Sequence, residues 1–117
     1  MAHQHQQSTS SIVLKRGEIW WAHLPKPVGR RPVLLLSRNA AYSVRSSVTV
    51  APITRTVYGI PVEVRLGAED GMPTDCVVNL DNGLTIPKQR LDHTITTLSP
   101  ERLRSVEAAI KFALDLH

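Results

Sequence analysis

Short apolar segments separated by polar turns run along most of the chain, and a helical spacing appears only near its end. The alternation of apolar and polar residues over Ser47–Thr54 and over residues 61–66 is typical of half-buried β-strands. The apolar run within residues 31–37 predicts a strand that is buried on both faces. The same reasoning predicts further short strands over residues 18–24, 76–80, 84–86 and 94–98.

The C-terminal segment has the pattern of an amphipathic helix. Ser99 is a favourable N-cap and Pro100 suits the first helical position, so the helix is predicted to begin here. We expect it to extend to about Leu116. Apolar residues recur at helical spacing and form one stripe that faces the core: Leu103, Val106, Ile110, Ala113 and Leu114.

Consecutive short strands joined by tight turns favour an antiparallel sheet, because parallel strands need long crossover connections. The predicted fold is therefore mostly β with α: a small antiparallel barrel of five to seven short strands, with the C-terminal helix packed on one side or over an open end. A chain of 117 residues has room for one domain, which we expect over residues 14–117. Residues 1–13 are polar and are predicted to form a disordered leader.

The composition excludes several classes of protein. Apolar residues make up 42% of the chain and charged residues 21%, as in globular rather than disordered proteins. No apolar run approaches the roughly 20 residues of a membrane helix, and the polar N-terminus lacks the apolar centre of a secretory signal. The single cysteine, Cys76, can form neither an internal disulfide nor a cysteine-based metal site. These features favour the cytoplasm.

Positive charge is concentrated in the first half of the predicted domain. Between Leu14 and Ile60 there are eight basic residues and one acidic residue, Glu18. Residues 61–98 carry three basic and six acidic residues. Because guanidinium groups match phosphate oxygens with paired hydrogen bonds, the basic half is an expected binding surface for a polyanion such as a nucleic acid. A solvated basic face without a ligand would have the same composition.

Arginines and hydroxyl groups at strand ends are the remaining candidates for chemistry. The sequence contains no motif for a metal-dependent, ATP-dependent or serine-hydrolase mechanism. Arg31 stands beside Arg30 at a loop-to-strand junction, and Thr54 ends a predicted strand just before Arg55. An arginine and a threonine together can bind a phosphodiester and stabilise the charge that develops on it in a reaction. Ordinary surface residues at strand ends would give the same pattern, so both interpretations stay open.

Four segments in register resemble one known family, the MazF/PemK-type toxins. Residues 16–20 read R-G-E-I-W, which is similar to the opening of these proteins. Residues 31–37, R-P-V-L-L-L-S, are similar to the family's second strand. Residues 52–54, P-I-T, and the K-Q-R-L of residues 88–91 complete the resemblance in the same order and spacing. We therefore identify the chain as similar to this family from about Leu14 to the end.

The resemblance implies a fold, an activity and partners. Members fold as small SH3-like barrels, form homodimers and are bound by cognate antitoxin proteins. They are metal-independent, cofactor-free endoribonucleases that cut single-stranded RNA, often mRNA. The family's functional arginine and threonine correspond to Arg31 and Thr54. Attack of a ribose 2′-OH on the adjacent phosphate is implied, with 2′,3′-cyclic phosphate and 5′-OH ends. Further RNA contacts are expected from Arg30, Ser37, Arg55 and Asn82.

One segment departs from the family pattern. The loop before Arg31, residues 25–30, is shorter than in many members and lacks an acidic residue. His23 is therefore a possible catalytic group, because an imidazole can exchange protons near neutral pH. A strand histidine used for packing is the alternative interpretation.

Two other activities stay open at this stage. They are a gyrase-poisoning toxin on the same barrel and a barrel that binds RNA or protein without cutting it. Trp20 and Trp21 are predicted to point to opposite faces of their strand. One is expected in the core, and the other could stack on a base or pack in the dimer interface.

Overall fold

Seven short strands precede one helix in the structure, a computed structural model that describes residues 13–116. The strands are β1 (Glu18–His23), β2 (Arg30–Leu35), β3 (Ser47–Thr54), β4 (Glu63–Leu66), β5 (Cys76–Asn79), β6 (Leu84–Pro87) and β7 (Leu91–Thr97). The helix is α1 (Pro100–Ala113). Single 3₁₀ turns lie at Asn39–Ala41, Ala68–Asp70, Leu80–Asn82 and Lys88–Arg90.

All strand pairs in the described part of the chain are antiparallel, and the strands run in the order β4-β5-β3-β2-β1-β7 across one sheet. β3 bends the sheet, because one of its edges pairs with β6 near its start and with β5 near its end. The turn Leu80–Asn82 joins β5 to β6 at this corner. Strands β4 and β7 stay at the edges, so the predicted antiparallel barrel is confirmed as a curled, open sheet over the described residues.

β2 is buried on both faces, as its apolar run predicts. Val33 and Leu35 point into one cluster of buried side chains, which also contains Tyr42 and Ile86. Leu34 points into the other cluster and is fully buried. Burying a side chain of this size stabilises the fold by about 1.5–3 kcal/mol. The central strands are therefore a rigid support for side chains at their ends.

α1 packs against the face of the sheet that contains Leu34. It begins as predicted: the Ser99 hydroxyl accepts a hydrogen bond from the Arg102 amide at 3.1 Å, and Pro100 opens the first turn. Val106 and Ala109 are the buried residues of the helix.

The predicted end of the helix is wrong. α1 ends at Ala113 instead of about Leu116, and Leu114 is 64% exposed instead of part of the apolar stripe. Leu114 has left the helical region of backbone angles, and Asp115 is left-handed, with φ 57. The physical reason is that the core ends one turn earlier, so no buried contact holds the last residues in a helix.

Gly17 allows the chain before β1 to pass against α1. Its φ is +95, and a Cβ placed there would lie 2.9 Å from a methyl carbon of Leu103. Only glycine fits both the backbone angle and the close approach. The family-like segment at residues 16–20 is therefore shaped partly by the packing of the helix.

The prediction of a disordered leader over residues 1–13 falls almost entirely on residues 1–12, which lie outside the described residues. Val13, the first described residue, is exposed, and Leu14 is the first buried one. Within residues 13–116 no helix is long and apolar enough to cross a membrane.

Candidate active site

A groove of about 540 Å³ opens where β1, β2 and β3 meet the loop before β5. The first two strands contribute an indole and a pair of guanidinium groups. The end of β3 contributes hydroxyl groups and a further arginine. The lining residues are Trp21, Arg30, Arg31, Pro32, Ile53, Thr54, Arg55, Thr56, Met72, Pro73, Thr74 and Cys76.

The antiparallel register brings Arg31 and Thr54 together. Val33 of β2 lies opposite Pro52 of β3. If this register continues for two more residues, Arg31 lies across from Thr54, and both side chains line the groove. Two residues that are far apart in sequence thus come from the ends of two rigid, adjacent strands.

Arg31 is half-buried and has no partner. Among residues 13–116, no hydrogen bond, ion pair or aromatic ring engages its guanidinium group. Arginine stays protonated at any physiological pH, and desolvated charge without a partner is costly. The groove therefore holds a fixed positive charge that an anion such as a phosphate would neutralise.

The Thr54 hydroxyl is oriented by its own strand end. Its Oγ1 accepts a hydrogen bond from the Thr56 amide at 3.2 Å. A hydroxyl that accepts one hydrogen bond still has its proton to donate. Thr54 can therefore donate to a phosphate oxygen held by Arg31.

Arg30 occupies the rim of the groove and, unlike Arg31, has partners. Its guanidinium Nη2 donates to Asp92 Oδ2 at 3.2 Å, and its Cζ lies 4.2 Å from the centroid of the Trp21 ring. The hydrogen bond from Arg30 and a second one from His93 lower the pKa of Asp92 below its ordinary value. Asp92 is thus a carboxylate at neutral pH.

His23 lies beside this group and does not line the groove. Its Nε2 is 3.6 Å from Asp92 Oδ2. In the register of β1 and β2, His23 is the direct partner of Arg30. The structure therefore brings His23 to the rim, next to the arginine pair.

Two other sequence candidates lie elsewhere. The Ser37 hydroxyl accepts a hydrogen bond from the Thr49 amide at 2.9 Å, where it joins the end of β2 to β3. Asn82 is exposed in the turn between β5 and β6. Neither residue lines the groove, whereas Arg30, Arg31, Thr54 and Arg55 all do.

Comparison with known proteins places the chain and its fold in a family. The sequence profile of the PemK-like, MazF-like toxins of type II toxin–antitoxin systems matches residues 15–114, a span that includes all seven strands and the helix. The chain belongs to this family. The resemblance inferred from four short segments is thereby confirmed.

Relatives that are named endoribonucleases align with most of the chain. The probable endoribonuclease MazF2 of Mycobacterium tuberculosis is 44% identical over 91 residues, which are 77% of this chain and 87% of the relative. Endoribonuclease EndoA of Bacillus subtilis is 32% identical over 113 residues, which are 90% of this chain and 97% of the relative.

Solved MazF-like structures have the same fold. The Mycobacterium tuberculosis toxin MazF-mt6 is 38% identical, with a TM-score of 0.79 over 86% of this chain and 98% of its own. A mycobacterial endoribonuclease in complex with its cognate antitoxin is 28% identical, with a TM-score of 0.79 over 89% of this chain and 97% of its own. The predicted barrel-like fold is thus confirmed by structures as well as by sequence.

Sequence reasoning missed one wall of the groove. Met72, Pro73 and Thr74 lie between the strands predicted over residues 61–66 and 76–80, and none of the three was a candidate site residue. The sequence did contain one indication of this wall. The segment is a loop between two predicted strands, and binding sites are commonly built from such loops. Thr56 and Thr74 add hydroxyl groups that could contact a ligand.

Cys76 lines the groove and is buried. Burial, and then the negative charges of Asp70 and Asp75, raise the pKa of its thiol. The thiol is therefore protonated at neutral pH, and the thiolate that a nucleophilic mechanism needs is disfavoured. Within residues 13–116 there is no group of three or more His, Cys, Asp or Glu side chains that could hold a metal ion.

Proposed function

We propose that this MazF/PemK-like toxin is a metal-independent endoribonuclease that cleaves single-stranded RNA in the groove lined by Arg31 and Thr54. One observation carries the proposal: a half-buried arginine without an anionic partner lies beside a threonine hydroxyl in an arginine-rich groove. The endoribonuclease names of relatives at 44% and 32% identity favour this activity over gyrase poisoning.

The reaction that suits these groups is transesterification. The 2′-oxygen of a ribose attacks the adjacent phosphorus, the new O2′–P bond forms and the P–O5′ bond breaks. The nucleophile loses its proton and the leaving 5′-oxygen gains one, so the products are a 2′,3′-cyclic phosphate and a 5′-OH. Arg31 binds the non-bridging oxygens and stabilises their growing negative charge, because a guanidinium group cannot serve as a base. Thr54 donates a hydrogen bond to the same phosphate.

His23 is our candidate for proton transfer. It is paired with Arg30 between β1 and β2, and its Nε2 lies 3.6 Å from Asp92 Oδ2, at ion-pair distance. An imidazole with one ring nitrogen near this carboxylate has its other nitrogen to exchange a proton with RNA. Ser37, Arg55 and Asn82 are proposed to contact RNA along its path, with Arg55 inside the groove and the other two outside it.

The partners follow from the same surface. We expect two copies of the chain to form the active homodimer, as the family resemblance implies. The cognate antitoxin is expected to bind through an acidic segment that neutralises the groove arginines. Antitoxin complexes exist for the mycobacterial endoribonuclease and for MazF of Deinococcus radiodurans, which is 26% identical with a TM-score of 0.75. The cytoplasm, where mRNA is found, is the proposed location.

Cleavage in EDTA tests the proposal directly. We expect the purified protein to cut a long single-stranded RNA at discrete positions, with 2′,3′-cyclic phosphate and 5′-OH ends. Arg31→Ala and Thr54→Ala should each lower the rate by about 10²–10³. Arg104→Ala, at an exposed position of α1, is the matched control and should cleave like the wild type.

Two results would contradict the proposal. Folded wild-type protein that leaves RNA intact in EDTA would exclude the nuclease. Equal cleavage by wild type and both groove variants would place the site elsewhere. Mapping of the cut ends by primer extension also identifies the recognised sequence.

A further inference from the structure

Trp21 and Arg30 form a stacked pair at the rim of the groove. Trp21 of β1 and Arg30 of β2 are diagonal neighbours in the register, because Arg30 lies opposite His23, two residues after Trp21. The Arg30 guanidinium carbon lies 4.2 Å from the centroid of the indole ring, which is the distance of a cation–π contact. The indole therefore supports one face of the guanidinium plane.

Asp92 fixes the guanidinium in this position. β7 pairs with the other edge of β1, and Ala22 lies opposite Leu91. Asp92, the next residue of β7, therefore lies near the end of β1. Its Oδ2 accepts hydrogen bonds from Arg30 Nη2 at 3.2 Å and Nε at 3.4 Å. A long, flexible arginine side chain is thus held at two of its nitrogens and over one ring.

Two histidines face the same carboxylate. His23 Nε2 lies 3.6 Å from Asp92 Oδ2, and His93 Nδ1 lies 3.4 Å from Oδ1. Apart from Arg30 and these two imidazoles, no basic side chain within residues 13–116 lies within ion-pair distance of Asp92. The carboxylate therefore remains ionised and keeps its hold on Arg30 throughout the neutral range.

The outer face of the stack is open. The Arg30 side chain is 43% exposed, and Trp21 is half-buried beneath it. Flat guanidinium and aromatic surfaces are the groups on which proteins stack unpaired bases, and they accept every base because each has a π-face. Arg31, the phosphate-binding candidate, is the next residue along the chain, so a base on Arg30 would belong to a nucleotide close to the reacting phosphate.

We propose that Trp21 and Arg30 form a nucleobase-stacking subsite and that Asp92 is the residue that positions Arg30 within it. The inference rests on the proposed RNA-cleaving function and adds the location of one base. The subsite is a flat cationic surface that binds an unpaired base. It therefore accepts single-stranded nucleic acid and excludes a base-paired helix, whose bases are stacked on each other.

The test uses the full-length protein with Trp20→Phe, which leaves Trp21 as the one fluorescent tryptophan of the chain. The probe is a short 2′-O-methyl oligo(A), which lacks the attacking 2′-OH and cannot be cleaved. We expect the probe to quench Trp21 emission on binding. Arg30→Ala should weaken binding about tenfold or more, since stacking of one base contributes that much.

The positioning role of Asp92 has its own readout. Asp92→Asn keeps the shape but weakens the hydrogen bonds to Arg30, so Trp21 emission should change before any probe is added. With cleavable RNA the variant should raise KM several-fold, because a ground-state contact is lost, whereas kcat reports separately on His23, which also lies beside Asp92. Asp92→Glu should restore part of the binding. Arg30→Lys should not preserve binding of the probe, because an ammonium group lacks the flat surface on which a base stacks.

A matched control separates positioning from general stability. Glu107 holds Arg16 at 2.8 Å on another part of the surface, so Glu107→Gln also removes a carboxylate from an arginine. It should change neither Trp21 emission nor KM. If Asp92→Asn lowers the melting temperature and has no effect on emission and KM, Asp92 is only structural and the proposal is overturned.

The outcomes also separate the subsite from the proposed function. If the wild type cleaves RNA but Arg30→Ala binds the probe like the wild type, the subsite is wrong and the nuclease stands. If the wild type cleaves nothing, yet binds oligo(A) with quenching that Arg30→Ala abolishes, the subsite stands as a binding site and the nuclease is wrong.

Discussion

The arginines of this fold have different neighbours, and the neighbours decide what each guanidinium group can do. Arg16 is paired with Glu107 and Arg102 with Asp70, so both tie elements together. Arg30 is held by Asp92 and Trp21. Arg31 meets no acid in the described part of the chain, which leaves its charge for a ligand.

Glu63 illustrates a carboxylate whose partners are backbone groups. It accepts hydrogen bonds from the amides of Tyr58, Gly59 and Ile60, at distances of 2.8–3.4 Å, and so shapes the loop between β3 and β4. Partial desolvation raises the pKa of this carboxyl, but the three amide hydrogen bonds outweigh it and lower the pKa overall. The ionised form is therefore favoured more in the folded chain than in the unfolded one.

This lowered pKa makes the contribution of Glu63 to stability depend on pH. A depressed folded pKa stabilises the fold above the unfolded value of roughly 4.3, and the stabilisation disappears as pH falls through the folded pKa. Glu63→Gln should therefore unfold at a lower urea concentration than the wild type at neutral pH, and the gap should close at an acidic pH below the folded pKa of Glu63. A gap of equal size at both pH values would show that the carboxylate charge is irrelevant. Urea unfolding monitored by circular dichroism measures it.

At the scale of elements, one ion pair joins the wall of the groove to the helix. Asp70 is 6% exposed, and its carboxylate accepts from Arg102 Nε at 2.9 Å and from the Gly67 amide at 3.0 Å. The hydrogen bond that Arg102 donates to Asp70 raises the pKa of Arg102. The Thr96 hydroxyl of β7 donates to the Asp70 carbonyl at 2.9 Å. The loop that carries Met72 to Thr74 is thereby attached to both α1 and β7.

Arg102→Ala should destabilise the protein by about 2 kcal/mol. Loss of one partner from a fully buried pair costs about 3–5 kcal/mol, and the partial exposure of Arg102 lowers that cost. Because the loop forms one wall of the groove, RNA cleavage should weaken as well. Urea denaturation measures the stability, with Arg104→Ala on the same helix as the control. Equal stability of the two variants would show that the loop is held without the ion pair.

Elements with a clean pattern could be predicted from the sequence, and those shaped by distant contacts could not. β3 has the predicted bounds, but its burial alternates only as far as Val50, because Ala51 and Ile53 are buried in the other cluster. β7 begins at Leu91 rather than Thr94, since irregular pairing with β1 extends it through residues that show no alternation. The family resemblance predicted that Arg31 and Thr54 belong to one site. The open guanidinium of Arg31 and the Asp92 contact depend on tertiary packing that no local pattern shows.

For the whole molecule, the distribution of charge matters more than its total. The net charge is +4, yet the basic residues that line the groove come from β2 and the end of β3, within the arginine-rich half of the sequence. The acids of the later half bind Arg30 and Arg102 instead of filling the groove. Within residues 13–116 the groove is therefore lined by arginines and no acidic side chain.

This separation of charge predicts which arginines govern the salt dependence of RNA binding. Each phosphate contact on single-stranded nucleic acid contributes a slope of about −0.7 to the plot of log affinity against log salt concentration. Arg31 and Arg55 line the groove, so Arg31→Ala and Arg55→Ala should each make the slope less steep by about 0.7 for the uncleavable 2′-O-methyl probe. Arg104→Ala removes the same charge from the exposed face of α1 and should leave the slope unchanged. If all three variants change the slope equally, RNA responds to the net charge of the protein and not to the groove. Titrations at several salt concentrations, followed by fluorescence anisotropy of labelled probe, decide between the two.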